Sequence, residues 1–72
     1  MVSTLGNQQA QPKEVTRRVL GKIITSRKPR GLFFARYGKD YIGVDNATGD
    51  AWTEMFHTRN ACLRWLNGGD TA

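Results

Sequence analysis

The central part of the chain consists of short, mainly apolar runs separated by polar turn residues, a pattern typical of β-strands joined by hairpins. Three short segments, 32–37, 41–45 and 51–56, are rich in aromatic and β-branched residues, and Gly- and Asn-containing connections of hairpin length separate them. We therefore predict a three-stranded antiparallel meander. It is the strongest structural signal in the sequence.

A second pattern precedes the meander. Its apolar residues recur with helical spacing and leave the cations on the opposite side of the wheel; they are Val15, Val19, Leu20, Ile23 and Ile24. Pro12 suits the first position of such a helix. Residue propensity favours a strand instead, because Val, Thr and Ile dominate and Gly21 weakens a helix. Residues 13–25 are thus predicted as a basic amphipathic helix, with a fourth strand as the alternative.

A second helix is predicted over residues 59–67. Thr58 can cap its first turn, and the apolar residues Ala61, Cys62, Trp65 and Leu66 follow at helical spacing. Gly68 and Gly69 then end the run. The predicted fold class is α+β, a small sheet with a C-terminal helix.

The two ends of the chain are poor in apolar side chains. Residues 1–11 offer too little apolar surface to offset the entropy of ordering, and we predict a disordered arm there. Residues 12–69 form a single domain in this interpretation, and residues 70–72 are a tail. Seventy-two residues leave room for one thin core and little depth for a cleft.

The register of the first hairpin decides which aromatic side chains share a face. If Tyr37 pairs with Tyr41 across a three-residue turn, then Phe33, Tyr37 and Tyr41 lie together, and Trp52 joins them in one register of the third strand. Such a face can stack on the bases of single-stranded nucleic acid. The alternative, which the small size of the chain favours, is that the last helix covers this face, with Trp65 and Leu66 against Trp52 and Phe56.

The charges of the chain are strongly segregated. Lys and Arg number 11 against 6 Asp and Glu, a net charge of +5. Residues 1–39 hold nine of the cations and only one acid, whereas residues 40–72 hold two cations and five acids. This asymmetry predicts a basic surface for a polyanion or an acidic protein, although a solvated face without a partner has the same composition.

Few of the common catalytic or metal-binding patterns are available to this sequence. One Cys and one His exclude a disulfide framework and a multi-cysteine zinc site. Glu54 and His57, three residues apart on a strand, should point to opposite faces, and Cys62 is interpreted as a small buried hydrophobe. We therefore predict no enzymatic activity, no metal and no cofactor.

Targeting signals are equally scarce. The first residues lack the basic and apolar regions of a signal peptide, and no apolar run is long enough to cross a bilayer. The expectation is a monomeric cytoplasmic protein with no membrane contact.

The candidate partner-binding residues come from the basic segment and the arm. The cations could neutralise carboxylates or phosphates, and Leu5 or Val15 could anchor the contact. The full set is Leu5, Val15, Arg17, Arg18, Lys22, Arg27, Lys28 and Arg30. The candidate base-stacking residues are Phe33, Tyr37, Tyr41 and Trp52.

In format the chain resembles the very small proteins by which bacteriophages redirect host machinery. It shares with them a polar arm, a basic segment at 16–24 and a minimal sheet-and-helix domain that ends with the segment 58–66. Some of those proteins bind bacterial RNA polymerase and inhibit or reprogramme transcription. The resemblance implies an RNA polymerase subunit as a partner and the infected bacterial cell as the setting.

Three functional hypotheses follow from the sequence. The first is a non-enzymatic regulator that binds an acidic component of the nucleic-acid machinery, such as RNA polymerase, and modulates transcription. The second is a domain that binds DNA or RNA directly through the basic segment and the sheet aromatics. The third is a structural module with an inert surface.

Overall fold

A computed structural model of the chain describes residues 11–68. Within this range it contains four strands and two helices, which are β1 (Lys13–Glu14), α1 (Arg17–Ser26), β2 (Gly31–Tyr37), β3 (Asp40–Asn46), β4 (Trp52–Phe56) and α2 (Arg59–Leu66). The predicted arm, apart from Gln11, and the predicted tail lie outside the described residues.

The strands form one mixed sheet in the order β1-β2-β3-β4. Strands β2, β3 and β4 pair antiparallel and confirm the predicted meander. Strand β1 pairs parallel with β2, so the sheet has four strands among the described residues and the prediction of three was incomplete. The α+β class is confirmed at this coarse level.

The segment 13–25 contains both of the elements that the sequence left open. Residues 13–14 are a strand, and the Val15 N–H donates to the Phe34 carbonyl at 2.8 Å, which carries the contact with β2 one residue further. Thr16 then caps α1, because its Oγ1 accepts from the Val19 N–H at 3.2 Å. The helix therefore starts at Arg17, and the prediction that Pro12 begins it was wrong.

The first hairpin has a shorter turn than predicted. Tyr37 pairs with Asp40, and Arg36 pairs with Tyr41, so only Gly38 and Lys39 lie between the strands. Gly38 has a φ of 67°, a left-handed conformation that a two-residue turn requires and that glycine adopts without strain. The predicted Tyr37–Tyr41 pairing was wrong by one residue, and such a slip moves side chains to the opposite face.

Helix α1 packs on one face of the sheet. Its buried residues Leu20 and Ile23 contact Phe33, Ala35 and Val44 in one core cluster. These three strand residues share a face because Phe33 lies directly opposite Val44 in the β2–β3 register. The basic helix is thus held to the sheet by its apolar stripe.

Helix α2 packs on the other face, so the described chain has three layers with the sheet in the middle. Leu32, Phe34, Cys62 and Leu66 form the second core cluster. Thr58 caps α2 as predicted, with its Oγ1 accepting from the Ala61 N–H at 3.1 Å. The helix ends at Leu66, one residue earlier than predicted.

Helix α2 covers one of the two aromatic residues of β4 and leaves the other exposed. The rings of Phe56 and Trp65 lie 5.5 Å apart between centroids, so the predicted cover of Phe56 is confirmed. Trp52 remains 65% exposed, and its predicted burial against Trp65 and Leu66 was wrong. The helix reaches only the end of β4 that is near Phe56.

Neither helix of the described residues has the length and apolar character needed to span a membrane.

Candidate partner interface

The outer side of α1 carries three of the predicted cations. Leu20 and Ile23 point into the core, and the 3.6-residue period consequently places Arg17, Arg18 and Lys22 on exposed positions. Among residues 11–68 the single ion pair joins His57 and Asp40, at 3.2 Å, and involves none of these cations. Residues Arg17–Lys22, as far as they are exposed, are called the α1 face below.

Gly21 lies in the middle of the α1 face. A Cβ built on this residue would meet nothing within 4 Å, so no contact in the fold requires glycine. A glycine in a helix nevertheless costs about 1 kcal/mol relative to alanine. Residues three and four positions apart are neighbours on a helix, so the bare backbone at Gly21 borders both Arg17 and Arg18.

One apolar side chain is exposed beside these cations. Val19 is 40% exposed, and Lys22 lies one turn further along the same side of the helix. Val15, which the sequence offered as an anchor for a partner, instead packs against the core cluster beneath α1. Leu5, the other predicted anchor, lies outside the described residues.

An aromatic residue stands at the beginning of α1. The Arg17 guanidinium lies 4.9 Å from the centroid of the Tyr37 ring, a distance at which a cation is attracted to the face of the ring. Tyr37 is 45% exposed. The α1 face therefore continues at this end onto an accessible aromatic ring.

The other three predicted cations are gathered at the opposite end of α1. Arg27, Lys28 and Arg30 line an open concavity of about 540 Å³, and Ser26, Pro29, Thr48 and Gly49 complete its lining. The ten residues of α1 rise about 15 Å along the helix axis. The sequence treated all these cations as one cluster, whereas the fold divides them between two places.

Asn46 holds the two sides of this concavity together. Its side chain is fully buried, its Nδ2 donates to the Pro29 carbonyl at 2.8 Å, and its Oδ1 accepts from the Ala51 N–H at 3.0 Å. The loop after α1 and the loop between β3 and β4 are therefore fixed to each other. We did not identify Asn46 from the sequence, since an Asn in a turn-like run looks the same whether it is exposed or buried.

The four predicted base-stacking residues do not share a surface. Phe33 is only 7% exposed beneath α1, and Tyr41 is half-buried in the cluster covered by α2. Tyr37 and Trp52 are exposed on opposite faces of the sheet, because Tyr37 follows the alternation of Phe33 while Trp52 pairs with Asp45, which pairs with Leu32. A continuous stacking platform is therefore absent from the described residues.

Two of the acidic residues of the C-terminal half lie on the side of the sheet opposite α1. Glu54 pairs with Gly43 and Asp45 pairs with Leu32, positions on the face of the sheet that α2 covers. Asp40 differs from them, because it pairs with Tyr37, whose ring contacts Arg17 at the beginning of α1. The charge asymmetry of the sequence is therefore carried over only in part to the two faces of the sheet.

The remaining chemically active side chains are not grouped into a reactive centre. Burial raises the pKa of the Cys62 thiol from 9.0 to about 11, an effect that the nearby charge of Arg59 reduces. The thiol is therefore protonated at neutral pH. His57 contacts Asp40 and not Glu54, and residues 11–68 contain no cluster of three side chains able to hold a metal ion.

Two features of the α1 face were missed at the sequence level. Gly21 was considered only as a weakness of the helix, and Val19 was assigned to the apolar stripe. The helical period does carry a signal for Val19, which lies about 100° from Leu20, at the border of the buried stripe.

Comparison with protein-family models, with curated proteins and with solved structures found no match to this chain.

Proposed function

We propose that the chain is a non-enzymatic regulator that binds an acidic protein of the nucleic-acid machinery through the α1 face. The observation that carries this proposal is that the exposed part of α1 presents three cations, a partly exposed valine at its border and a glycine that the fold does not need. Each of these features has a separate part in recognition.

The cations supply long-range attraction and orientation. Arg17, Arg18 and Lys22 are presented on a helix that the core holds in place, so little backbone order has to be acquired on binding. Complementary charge raises the association rate and disfavours basic partners.

Val19 and Gly21 favour a protein over a nucleic acid as the partner. A partly exposed valine gains from an apolar pocket, which a protein surface offers and a phosphate backbone does not. At Gly21 the missing side chain lets a partner approach the helix backbone closely. The two residues are two positions apart and point to different sides of α1, so each adds shape to the contact on its own side.

A subunit of bacterial RNA polymerase is the partner that we propose, on the strength of the resemblance in format to phage regulators of transcription. The regulator would act by occupying an acidic surface of the enzyme. In this proposal the protein works as a monomer in the bacterial cytoplasm.

The test is a binding titration of the full chain against purified bacterial RNA polymerase at two salt concentrations. Val19→Asn should weaken binding by about tenfold, because it places a polar group in an apolar contact. Arg64→Gln, which removes one charge from the exposed side of α2, should leave the affinity within about twofold. Absence of binding to the polymerase, or equal effects of the two variants, would contradict the proposal.

A second candidate function, direct binding of single-stranded nucleic acid, is favoured by the contact of Arg17 with the exposed Tyr37 ring. A base could stack on this ring while the α1 face contacts phosphates. In that case Tyr37→Ala would weaken binding to oligonucleotides more than Val19→Asn. The affinity would also fall by orders of magnitude between about 50 and 200 mM salt.

A further inference from the structure

The concavity at the C-terminal end of α1 is a second site, distinct from the α1 face. We propose that it binds the phosphomonoester of a nucleotide, either as a free nucleoside monophosphate or as the terminal phosphate of a strand. This inference goes beyond the proposed function, because it concerns residues that the contact through the α1 face does not use.

Hydrogen bonds within the fold fix the walls of the concavity. Asn46 ties its two walls together through one bond to each loop. The Ser26 Oγ accepts from the Lys28 N–H at 3.3 Å and donates to the Lys22 carbonyl at 2.7 Å, which fixes the start of the loop to the last turn of α1. The cations are therefore presented from a fixed backbone.

The side chain of Arg30 lies against Gly49 of the β3–β4 loop. A Cβ on Gly49 would lie 3.1 to 3.2 Å from the Arg30 guanidinium, so the guanidinium lies closely against the bare backbone of the β3–β4 loop. Gly49 also has a φ of 90°, which glycine adopts readily. The planar guanidinium can donate two parallel hydrogen bonds to phosphate oxygens.

The C-terminal end of a helix ordinarily repels anions, and the cations of the concavity have to outweigh that effect. Of the last four carbonyls of α1, that of Ile23 accepts from the Arg27 N–H at 2.7 Å. The hydroxyls of Thr25 and Ser26 donate to the Gly21 and Lys22 carbonyls, which lie further inside the helix. An anion would therefore be held by the three cations against the partial negative charge of the helix end.

Charge and size both favour a nucleotide phosphate. Arg27, Lys28 and Arg30 supply three positive charges, which suit a phosphomonoester of about −1.5 to −2 better than a single carboxylate of −1. The Thr48 hydroxyl donates to the Asp50 carboxylate at 2.8 Å, so the cations provide the hydrogen bonds and one negative charge next to the lining offsets part of their charge. The concavity is open to solvent, and its volume of about 540 Å³ leaves room for a nucleoside beside the phosphate.

The experiment is an NMR titration of the full ¹⁵N-labelled chain with adenosine 5′-monophosphate, adenosine and inorganic phosphate, all at one ionic strength. We expect saturable shifts at the amides of Arg27, Lys28, Arg30 and Gly49 with the monophosphate and none with adenosine. Shifts spread over all basic residues, equal affinity for inorganic phosphate, or no shifts would each overturn the proposal. A strand with and without a 5′-phosphate then distinguishes the free nucleotide from the strand end.

Variants separate this site from general electrostatics. Arg30→Gln should weaken monophosphate binding by about tenfold, and Arg30→Lys should restore only part of it because the forked geometry is lost. Arg64→Gln, with the same change of charge, should leave the affinity within about twofold. A loss of the same size with Arg64→Gln would contradict the proposal.

The test of nucleotide binding can fail or succeed independently of the test of RNA polymerase binding. Arg30→Gln leaves the α1 face intact, so its affinity for RNA polymerase should stay within about threefold of the original chain. Failure of nucleotide binding would therefore leave the polymerase contact standing, and the reverse also holds.

Discussion

The two helices cover opposite faces of the same sheet, and the glycine associated with each one has an opposite meaning. Beneath α2, a Cβ on Gly43 of β3 would lie 3.0 Å from the Cys62 Sγ and 3.3 Å from the Trp65 ring. On α1, a Cβ on Gly21 would touch nothing within 4 Å. One glycine is required by the packing of the fold, and the other is not.

The surroundings of the two helices differ in the same way. Helix α2 buries Cys62 completely and Trp65 in part, and its Arg59 guanidinium lies 5.3 Å from the Phe34 ring. Helix α1 buries Leu20 and Ile23, packs Ile24 in part against the same cluster, and exposes its other residues to solvent. The difference indicates that α2 completes the core, whereas α1 both covers the sheet and presents a surface.

The strongest test of this contrast is Gly43→Ala. The added methyl group must displace the Cys62 sulfur or the Trp65 ring, and overpacking of this kind should lower the free energy of unfolding by about 2 kcal/mol. Urea denaturation measures the change.

A second substitution shows whether the helix contact is responsible. Cys62→Ala removes the nearer of the two contacts, so in the double variant the cost of Gly43→Ala should shrink. A neutral effect of Gly43→Ala alone, or strictly additive effects of both changes, would mean that α2 does not press on the sheet at this point.

Alkaline pH should weaken the α2 side of the core. The Cys62 thiol has its pKa raised by burial from 9.0 to about 11, so above pH 9 the unfolded chain releases this proton before the folded chain does. The free energy of unfolding should therefore fall as the pH rises through this window, by about 1.4 kcal/mol at pH 10. Below pH 9 the contribution is fully present.

Cys62→Ala provides the comparison, because the variant has no thiol to titrate. Denaturation of both chains at pH 8 and pH 10 should show a larger alkaline loss for the original chain. Parallel losses would indicate that Cys62 titrates as in an unfolded chain and that the α2 core is open to water.

The sequence predicted elements that depend on local signals. Thr58 caps α2 and the strands of the meander alternate as expected, since capping and side-chain alternation are encoded within a few residues. Strand β1 could not be predicted from the sequence. Two residues are too few to show the alternation of a strand, and their structure depends on pairing with Phe33 and Phe34, twenty residues later. The hairpin register was missed because Gly38, Lys39 and Asp40 suit turns of two or three residues equally well.

The candidate site was predicted only as a set of charges. The helical period sufficed to place Arg17, Arg18 and Lys22 on an exposed face. Their separation from Arg27, Lys28 and Arg30 depends on the end of α1 at Ser26 and on the bonds of buried Asn46, which are long-range features. These long-range features cannot be predicted from a pattern of neighbouring residues.

The substitution Gly21→Ala is expected to have the smallest effect on stability of those discussed. It is also the most direct test of the central claim, which is that the α1 face binds a partner. Alanine should raise the free energy of unfolding by about 0.8 kcal/mol and the Tm by a few degrees, because it favours the helix and meets no neighbour. Measured on the same samples, the affinity for RNA polymerase should fall by about fivefold, since the methyl group holds the partner away from the helix. A rise in Tm with an unchanged affinity would contradict the account.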